Sequence, residues 1–272
     1  MKMPARFRRL VGTAIPLLLA VVGFAAASAH AGFVTWSAPQ PITGDADIST
    51  DGTLVVAHNL GTSGNVTAFI NGVTFTPFGT NAAVNNSGNV TVSAATPMSG
   101  DNTVFGEIVS PFVDLSPDYQ ALLQSGSFSA GPTPAPSVTL TLAGLALGMD
   151  YQFQWWVNQT PPSNFDPNSP PPGLPTTTAT AGNSVTLQRS SFDPGTIGQF
   201  AIGVFTATAF TQTIVFQGSD DKTLLNAFQL RQLAPTAIPE PGSCLFGLAM
   251  SAVIFRRIFT RRRPSASIHS TL

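Results

Sequence analysis

The chain has 272 residues, of which 12 are Lys or Arg and 13 are Asp or Glu, so its formal net charge is −1. These charges are unevenly placed, because three basic and twelve acidic side chains between Gly32 and Ala237 give that body a net charge of −9 between two basic ends. An acidic body argues against nucleic acid or anionic lipid as its partner. The single cysteine, Cys244, excludes an intrachain disulfide, so the core must stabilise the fold.

The first 31 residues have the pattern of a secretory signal peptide. Four basic residues precede the uncharged run 10–27, and the segment ends in Ser28-Ala29-His30-Ala31. A charged start, an apolar stretch and an Ala-x-Ala site are typical of a leader that signal peptidase removes after Ala31. The sequence therefore predicts export, by the Sec route, because the wider twin-arginine motif is missing.

The body, residues 32–234, has the composition of a protein built from short strands. It is rich in Thr, Val, Phe, Gly, Asn and Pro and poor in Lys and Glu, which favours strands separated by turns. Asn71-Gly72 lies between the apolar segments 66–70 and 73–76, and Asn-Gly suits the positive φ angles of a two-residue type I′ turn. We therefore predict a β-hairpin at this point.

The rest of the body adds further predicted elements. Strands are predicted at 53–57, 90–94, 103–109, 138–142, 151–158, 184–188, 199–206, 211–216 and 224–233, one helical turn at 117–124, and extended loops at 131–136 and 161–175. Strands at this spacing predict an all-β fold, with a single β-sandwich or jelly roll as the body. A division into two smaller domains at Pro132 is the alternative.

The segment 145–158 combines a structural motif with a candidate binding face. Leu145, Gly148 and Tyr151 have the Leu-x-x-Gly-x-x-Tyr spacing of a tyrosine corner, in which the phenol bonds to nearby backbone. Strand alternation from Tyr151 onwards places one set of side chains in the core and the other set on the opposite face. The core set is predicted to be Tyr151, Phe153, Trp155 and Val157.

The opposite face of this strand carries Trp156 beside Gln154 and Asn158. An indole among amides is how lectin-like domains stack a sugar ring and bind its hydroxyls, so these three residues are candidate glycan contacts. The alternative is that the Pro-rich segment that follows covers Trp156.

An acidic turn near the start of the body is a candidate calcium site. Asp45, Asp47 and Asp51 supply carboxylates, and loop oxygens of this kind bind Ca²⁺. The segment does not match an EF-hand, because no glutamate occupies the twelfth position. Solvated turn carboxylates are the alternative, and no other cofactor is expected.

The body lacks the usual catalytic patterns. His58 is its only histidine, and it has neither a Gly-x-Ser-x-Gly motif nor histidines at metal-ligand spacing. Its carboxylates lie mostly in turn contexts, although a glycan-active enzyme would need only two of them in one cleft. The sequence therefore predicts a protein that is not an enzyme.

The C-terminal segment 235–272 consists of three parts in order. Pro239, Glu240 and Pro241 lie in the motif 238–243, where two prolines exclude helix interior. The uncharged run 244–255 predicts a short transmembrane helix. The end, 256–272, carries a cluster that resists translocation, formed by Arg256, Arg257, Arg261, Arg262 and Arg263.

This order of parts resembles the PEP-CTERM sorting tail of bacterial proteins. The resemblance implies that an exosortase, a membrane-embedded transpeptidase-like enzyme, processes the chain near Pro239, Glu240 and Pro241 after a transient stay in the inner membrane. It further implies an outer-envelope or extracellular-matrix location, where extracellular polysaccharide is a candidate partner. A C-terminal anchor that stays uncut is the alternative.

The body also resembles galactose-binding-like jelly-roll domains, on the segments 151–158, 198–207, 218–220 and 225–231. Such domains bind carbohydrate in some proteins and are structural in others. The sequence therefore predicts an exported, non-enzymatic protein of the cell envelope or exopolysaccharide matrix, with a carbohydrate-binding surface module as the alternative.

Overall fold

The computed structural model describes residues 32–62, 64–159, 174–189 and 196–235, and these residues form mostly β-strands. The strands of those ranges are β1 (Thr35–Trp36), β2 (Gln40–Pro41), β3 (Thr53–Gly61), β4 (Ala68–Ile70), β5 (Val73–Gly79), β6 (Val84–Ser87), β7 (Val90–Ala94), β8 (Ser99–Asp101), β9 (Gly126–Ala130), β10 (Val138–Ala143), β11 (Asp150–Val157), β12 (Thr176–Ala181), β13 (Asn183–Gln188), β14 (Gln199–Thr206), β15 (Thr211–Gly218), β16 (Lys222–Leu225) and β17 (Ala227–Gln232). The helix α1 (Pro117–Gln124) and two 3₁₀ turns, Asp45–Asp47 and Phe112–Asp114, complete the described elements.

Two large sheets face each other as a β-sandwich. The first has eight strands in the order β1-β14-β11-β17-β3-β5-β4, with β2 also paired to β14. The second has six strands in the order β13-β12-β15-β10-β7-β6, and a small third sheet, β16-β9-β8, contacts β3 and β15. Both large sheets take strands from either side of Pro132, and this interleaving is incompatible with a division into two domains there.

The main core lies between the two large sheets. Trp155 of the eight-stranded sheet packs edge-on against Phe216 of the six-stranded sheet, with 5.0 Å between ring centroids. Phe153 stacks beside Phe228 at 5.8 Å. The predicted core face of β11 is confirmed, because Tyr151, Phe153, Trp155 and Val157 all belong to this core.

A second core covers the other face of the eight-stranded sheet. Ile42 and Ile48 approach from the N-terminal segment, Tyr119 and Leu122 from α1, and Phe75 from β5. The central strands of the sheet are therefore buried on both faces. The sequence pattern did not predict this extra layer.

Three local predictions are confirmed. Asn71 and Gly72 have φ angles of 48° and 78°, and Ile70 of β4 lies opposite Val73 of β5, as a type I′ hairpin requires. The helix α1 has the predicted bounds. The tyrosine corner is formed, because the Ala146 N–H donates to the Tyr151 hydroxyl at 2.9 Å.

Two predicted strands are wrong, wholly or in part. The segment 103–109 is not a strand, since Asp101 Oδ1 accepts from the N–H groups of Thr103 (2.8 Å) and Val104 (3.0 Å) and turns the chain away. The predicted strand 224–233 is broken at Asn226, whose side chain donates to the carbonyls of Leu123 and Ser125.

The two ends of the sequence lie outside the described residues, as does most of the Pro-rich segment 161–175. Ala31 and the signal peptide, the motif with Pro239, Glu240 and Pro241, the segment 244–255 and the arginine cluster therefore stay predictions. Within the ranges that the structure describes, none of the helices has the length and apolar character needed to cross a bilayer.

Candidate functional site

Trp156 lies on the predicted face of β11, but that face is covered. Its side chain is 0% exposed, and its indole N–H donates to the Tyr119 hydroxyl at 3.0 Å. The ring packs edge-on against Phe75 and tilted against Phe200, with centroid distances of 5.6 and 6.3 Å. The indole that a glycan contact would need to be exposed is therefore covered, since α1 and the β4–β5 hairpin occupy the place expected for a sugar.

Gln154 is buried beside Trp156 and binds the chain itself. Its Oε1 accepts from the Ser49 N–H at 3.0 Å, and its Nε2 donates to the Asp47 carbonyl at 2.6 Å. Gln229, on the neighbouring strand β17, donates to the Ser49 carbonyl at 3.0 Å and to Gln154 Oε1 at 2.7 Å. These amides hold the segment 47–52 across the sheet, so they are not available to bind hydroxyl groups of a ligand.

Arg231 fixes the other end of the same segment. Its Nε donates to the Asp51 carbonyl at 2.8 Å, and its Nη2 donates to the carbonyls of Thr50 and Gly52 at 3.0 and 2.9 Å. Burial lowers the pKa of Arg231, and the nearby Asp51 carboxylate opposes this change. The guanidinium thus binds three successive backbone carbonyls and acts as a clamp on the chain.

Two carboxylates of the candidate calcium site, those of Asp45 and Asp47, bind other groups of the chain. Asp47 accepts from the backbone N–H groups of Thr43 (2.6 Å) and Gly44 (2.9 Å), and Asp45 accepts from the Ser116 hydroxyl at 2.6 Å. Among the described residues, no group of three or more His, Cys, Asp or Glu side chains is placed to hold a metal ion. The structure therefore does not bring Asp45, Asp47 and Asp51 together as a calcium site.

Tyr119 links the candidate glycan contact Trp156 to the candidate calcium ligand Asp47. Its hydroxyl accepts from Trp156 and lies 3.4 Å from Asp47 Oδ2, to which it donates. Burial, followed by the charge of Asp47, raises the pKa of Tyr119 well above its ordinary value. The phenol therefore stays protonated and relays a hydrogen bond from the indole to the carboxylate.

Sequence reasoning missed Tyr119, although one signal could have found it. Ser116 precedes the Pro117 that starts α1, and its hydroxyl accepts from the Tyr119 N–H at 3.3 Å, as an N-cap residue does. A capped helix with Tyr119, Leu122 and Leu123 at helical spacing indicates an amphipathic helix with a buried face. The local sequence does not indicate which part of the fold this face packs against.

Asn158, the third candidate glycan contact, is buried where loops meet. Its Nδ2 donates to the Phe105 carbonyl at 2.6 Å, and its Oδ1 accepts from the Gly198 N–H at 2.8 Å. Its own N–H donates to Asn226 Oδ1 at 2.7 Å. The side chain of Asn158 thus bridges the backbone at Phe105 and at Gly198, which are 93 positions apart in the sequence.

A second buried arginine was also missed by the sequence analysis. Arg189 is fully buried and ion-paired with Asp220, whose side chain is about one-third exposed. The guanidinium further donates to the carbonyls of Thr176 and Lys222 at 3.1 and 2.8 Å and to Gln159 Oε1 at 2.9 Å. It joins β12, β13 and the start of β16, so its role is to hold strand ends together.

No family model, no curated protein and no solved structure matches this chain.

Proposed function

We propose that this chain is an exported, non-enzymatic component of a bacterial cell envelope or exopolysaccharide matrix, sorted through its C-terminal segment. The observation that carries the proposal is the order of parts in 235–272: a proline-bracketed Glu240, an uncharged run of transmembrane character and an arginine cluster. Each part alone is common, but the three together in this order are the pattern on which the proposal rests.

In the proposed sequence of events, the N-terminal leader acts first and the C-terminal segment 235–272 acts second. Signal peptidase removes the leader after Ala31, and the segment 244–255 then holds the chain in the inner membrane with its arginines on the cytoplasmic side. An exosortase acts near Pro239, Glu240 and Pro241 and releases the body to the outer envelope or matrix. No cofactor is needed for these steps on the part of this chain.

The geometry of the body supports a structural role. Trp156, Gln154 and Asn158 bind other parts of the same chain, so the carbohydrate-binding alternative loses the residues on which it was based. The glutamines and Arg231 likewise bind the segment 47–52. We propose a jelly-roll type of sandwich for this body, whose buried amides and arginines hold its own segments together.

Mass spectrometry of the protein in surface fractions of the native cells tests the sorting. In the wild type, we expect the surface form to end before the arginine cluster, so no peptide containing Arg261 is recovered. A Glu240→Ala variant is expected to keep the cluster and to stay in the inner membrane. Pro235→Ala, a substitution just outside the motif, is the matched control and is expected to be sorted normally.

Recovery of the arginine cluster in the wild-type surface form would contradict the proposal. Identical processing of Glu240→Ala and the wild type would contradict the role assigned to the motif, while leaving export itself in place.

A further inference from the structure

Three large apolar side chains are exposed at one end of the sandwich. Phe33, Leu147 and Phe210 are 73%, 52% and 66% exposed. Phe33 precedes β1, Leu147 lies in the segment 144–149 between β10 and β11, and Phe210 lies in the segment 207–210 between β14 and β15. The segments 32–34, 144–149 and 207–210 contain no charged residue. Together, these three side chains form the apolar tip of the body.

Backbone hydrogen bonds hold two of these segments side by side. The Gly148 N–H donates to the Ala207 carbonyl at 2.8 Å, and the Ala207 N–H donates to the Met149 carbonyl at 2.9 Å. The Leu145 N–H donates to the Phe210 carbonyl at 3.1 Å. The turn between β10 and β11 and the turn between β14 and β15 are therefore neighbours, and so are the exposed side chains that they carry.

Phe33 reaches the same end of the sandwich along β1. Thr35 lies opposite Val204 of β14, so Phe33, two residues earlier, lies level with Thr206, where β14 ends. The segment 207–210 follows directly. Large apolar side chains that are exposed close to one another indicate an interaction surface.

The chain leaves the body at this same end. Gln232, the last residue of β17, lies opposite Tyr151 of β11. The Leu233 N–H donates to the carbonyl of Asp150, the residue that follows the segment 144–149. The segment 235–272 therefore departs from beside the apolar tip.

Only a short stretch separates the body from the predicted transmembrane segment. Pro235 and Cys244, the first residue of that segment, are nine positions apart. Even a fully extended chain of this length reaches only about 31 Å. When the segment 244–255 is in a membrane, the end of the body with the apolar tip is therefore held close to the lipid.

We propose that the apolar tip inserts into the surface of the lipid bilayer while the segment 244–255 holds the chain there, a step that rests on the proposed function. Burial of Phe and Leu side chains among lipids is favourable, and the three uncharged segments carry no ionised side chain that would lose its hydration. The nearest carboxylate in sequence, that of Asp150, accepts from the Thr206 hydroxyl at 2.6 Å. Because the body is acidic, the contact depends on apolar burial and needs no anionic lipid.

Insertion of the apolar tip would give the body a fixed orientation on the membrane. The motif 238–243 would then lie near the bilayer surface, within reach of a membrane-embedded exosortase.

Tryptophan reporters at the two ends of the body test the proposal. Leu147→Trp places a reporter in the apolar tip, and Ile108→Trp, at a position that is 86% exposed, is the matched control. Ile108 lies three residues after Phe105, whose carbonyl accepts from Asn158 just beyond the other end of β11. Both positions are exposed, so neither substitution disturbs a core.

The chain is purified from an exporting bacterium without an exosortase, so that the leader is removed and the segment 235–272 is kept. It is reconstituted into phosphatidylcholine vesicles with and without bromine atoms on the acyl chains, because bromine quenches tryptophan fluorescence on contact. We expect brominated lipid to quench Leu147→Trp more than the wild type, and to quench Ile108→Trp no more than the wild type.

A charge in the apolar tip gives a second comparison. In the Leu147→Trp chain, Phe210→Asp is expected to remove the added quenching, since an ionised carboxylate loses its hydration in the bilayer. Ile108→Asp in the same chain places the charge at the other end of the body and is expected to leave the quenching unchanged.

Flotation of the vesicles separates two kinds of failure. A chain that does not float with the vesicles would contradict the membrane-held stage of the proposed function, and the insertion of the apolar tip with it. If the chain floats but Leu147→Trp and Ile108→Trp are quenched equally, the proposed function stands and the insertion is overturned. Equal effects of Phe210→Asp and Ile108→Asp would overturn the insertion as well.

Discussion

At the scale of single residues, expectation and structure differ most in the burial of the polar side chains of β11 and β17. Gln154 and Trp156 lie on the face that alternation predicts, opposite Phe153. The error lies in equating a polar face with a solvent-exposed one. Amides satisfied by backbone groups can be buried, and here they fix a segment that covers the sheet.

The relay from Trp156 through Tyr119 gives a prediction about stability. Trp156→Phe and Tyr119→Phe each remove one partner of the same hydrogen bond, so their effects on the free energy of unfolding should not add. We expect a coupling energy of about 1 kcal/mol in a double-mutant cycle measured by urea unfolding of the full-length chain.

The control for this cycle pairs Tyr119→Phe with Trp36→Phe. Trp36 donates its indole N–H to the Asn183 carbonyl at 3.2 Å and belongs to the other core, so the two substitutions should be additive. Additive effects for Trp156 and Tyr119 as well would show that the bond between them contributes nothing to stability.

Features of the candidate site that depend on neighbouring residues could be predicted from the sequence, whereas contacts between distant residues could not. The tyrosine corner and the Asn-Gly turn are local, and both were predicted correctly. The partners of Trp156 lie on α1 and β5, 37 and 81 positions earlier in the chain. No spacing rule connects residues so far apart, so the burial of this tryptophan could not be predicted from a single sequence.

At the scale of elements, the β4–β5 hairpin allows a sharp test of backbone conformation. Gly72 has a φ of 78°, and a Cβ placed there would meet no atom within 4 Å. Gly72→Ala therefore isolates the strain of the left-handed region, and we expect a loss of about 1 kcal/mol in the free energy of unfolding.

Gly64→Ala is the matched control, measured by the same urea unfolding. Gly64 lacks such a φ angle, and its Cβ would lie 3.8 Å from the nearest atom, so its replacement should change stability by less than about 0.5 kcal/mol. Equal losses at the two glycines would contradict the turn type assigned to Asn71-Gly72.

Strand prediction succeeded where bulky apolar residues alternate and failed where they do not. The bounds of β7 and β14 agree with the predicted 90–94 and 199–206. In contrast, β9 and β12 were not predicted, since Gly, Ser, Thr and Ala dominate them. These two strands owe their conformation to their neighbours in the sheets and not to their own side chains.

At the scale of the whole molecule, the buried His58 links stability to pH. Burial lowers the pKa of His58 below 6.5, and the hydrogen bond to Thr76 opposes this only in part. The unfolded chain therefore takes up a proton at a higher pH than the folded protein does. Stability is complete above the unfolded pKa and falls as the pH drops through 6.5 towards the folded value.

Urea unfolding at about pH 8 and about pH 5 measures this effect. The wild type should lose more stability over this interval than His58→Phe does, because the variant lacks the titrating group while all other groups are shared. An equal loss in both proteins would show that His58 does not couple folding to protons.

The sandwich itself was predictable, but its layering was not. Short alternating strands and frequent turns favour two packed sheets, and the structure has them. The outer layer is made of the segment 42–48, α1 and the β4–β5 hairpin. The hairpin and the helix were predicted, but the sequence did not indicate that they pack on this face of the sheet. The existence of this layer follows from long-range packing, which the local sequence does not encode.

The position of β17 has a consequence for how such a chain can be delivered. It is the last strand of the described residues, yet it lies in the middle of the eight-stranded sheet, with Gln232 opposite both Thr53 and Tyr151. If a chain leaves a channel with its N-terminal end first, β3 and β11 cannot pair with β17 until residue 232 has emerged. In the proposed export, the eight-stranded sheet would therefore close only after most of the chain has crossed the membrane.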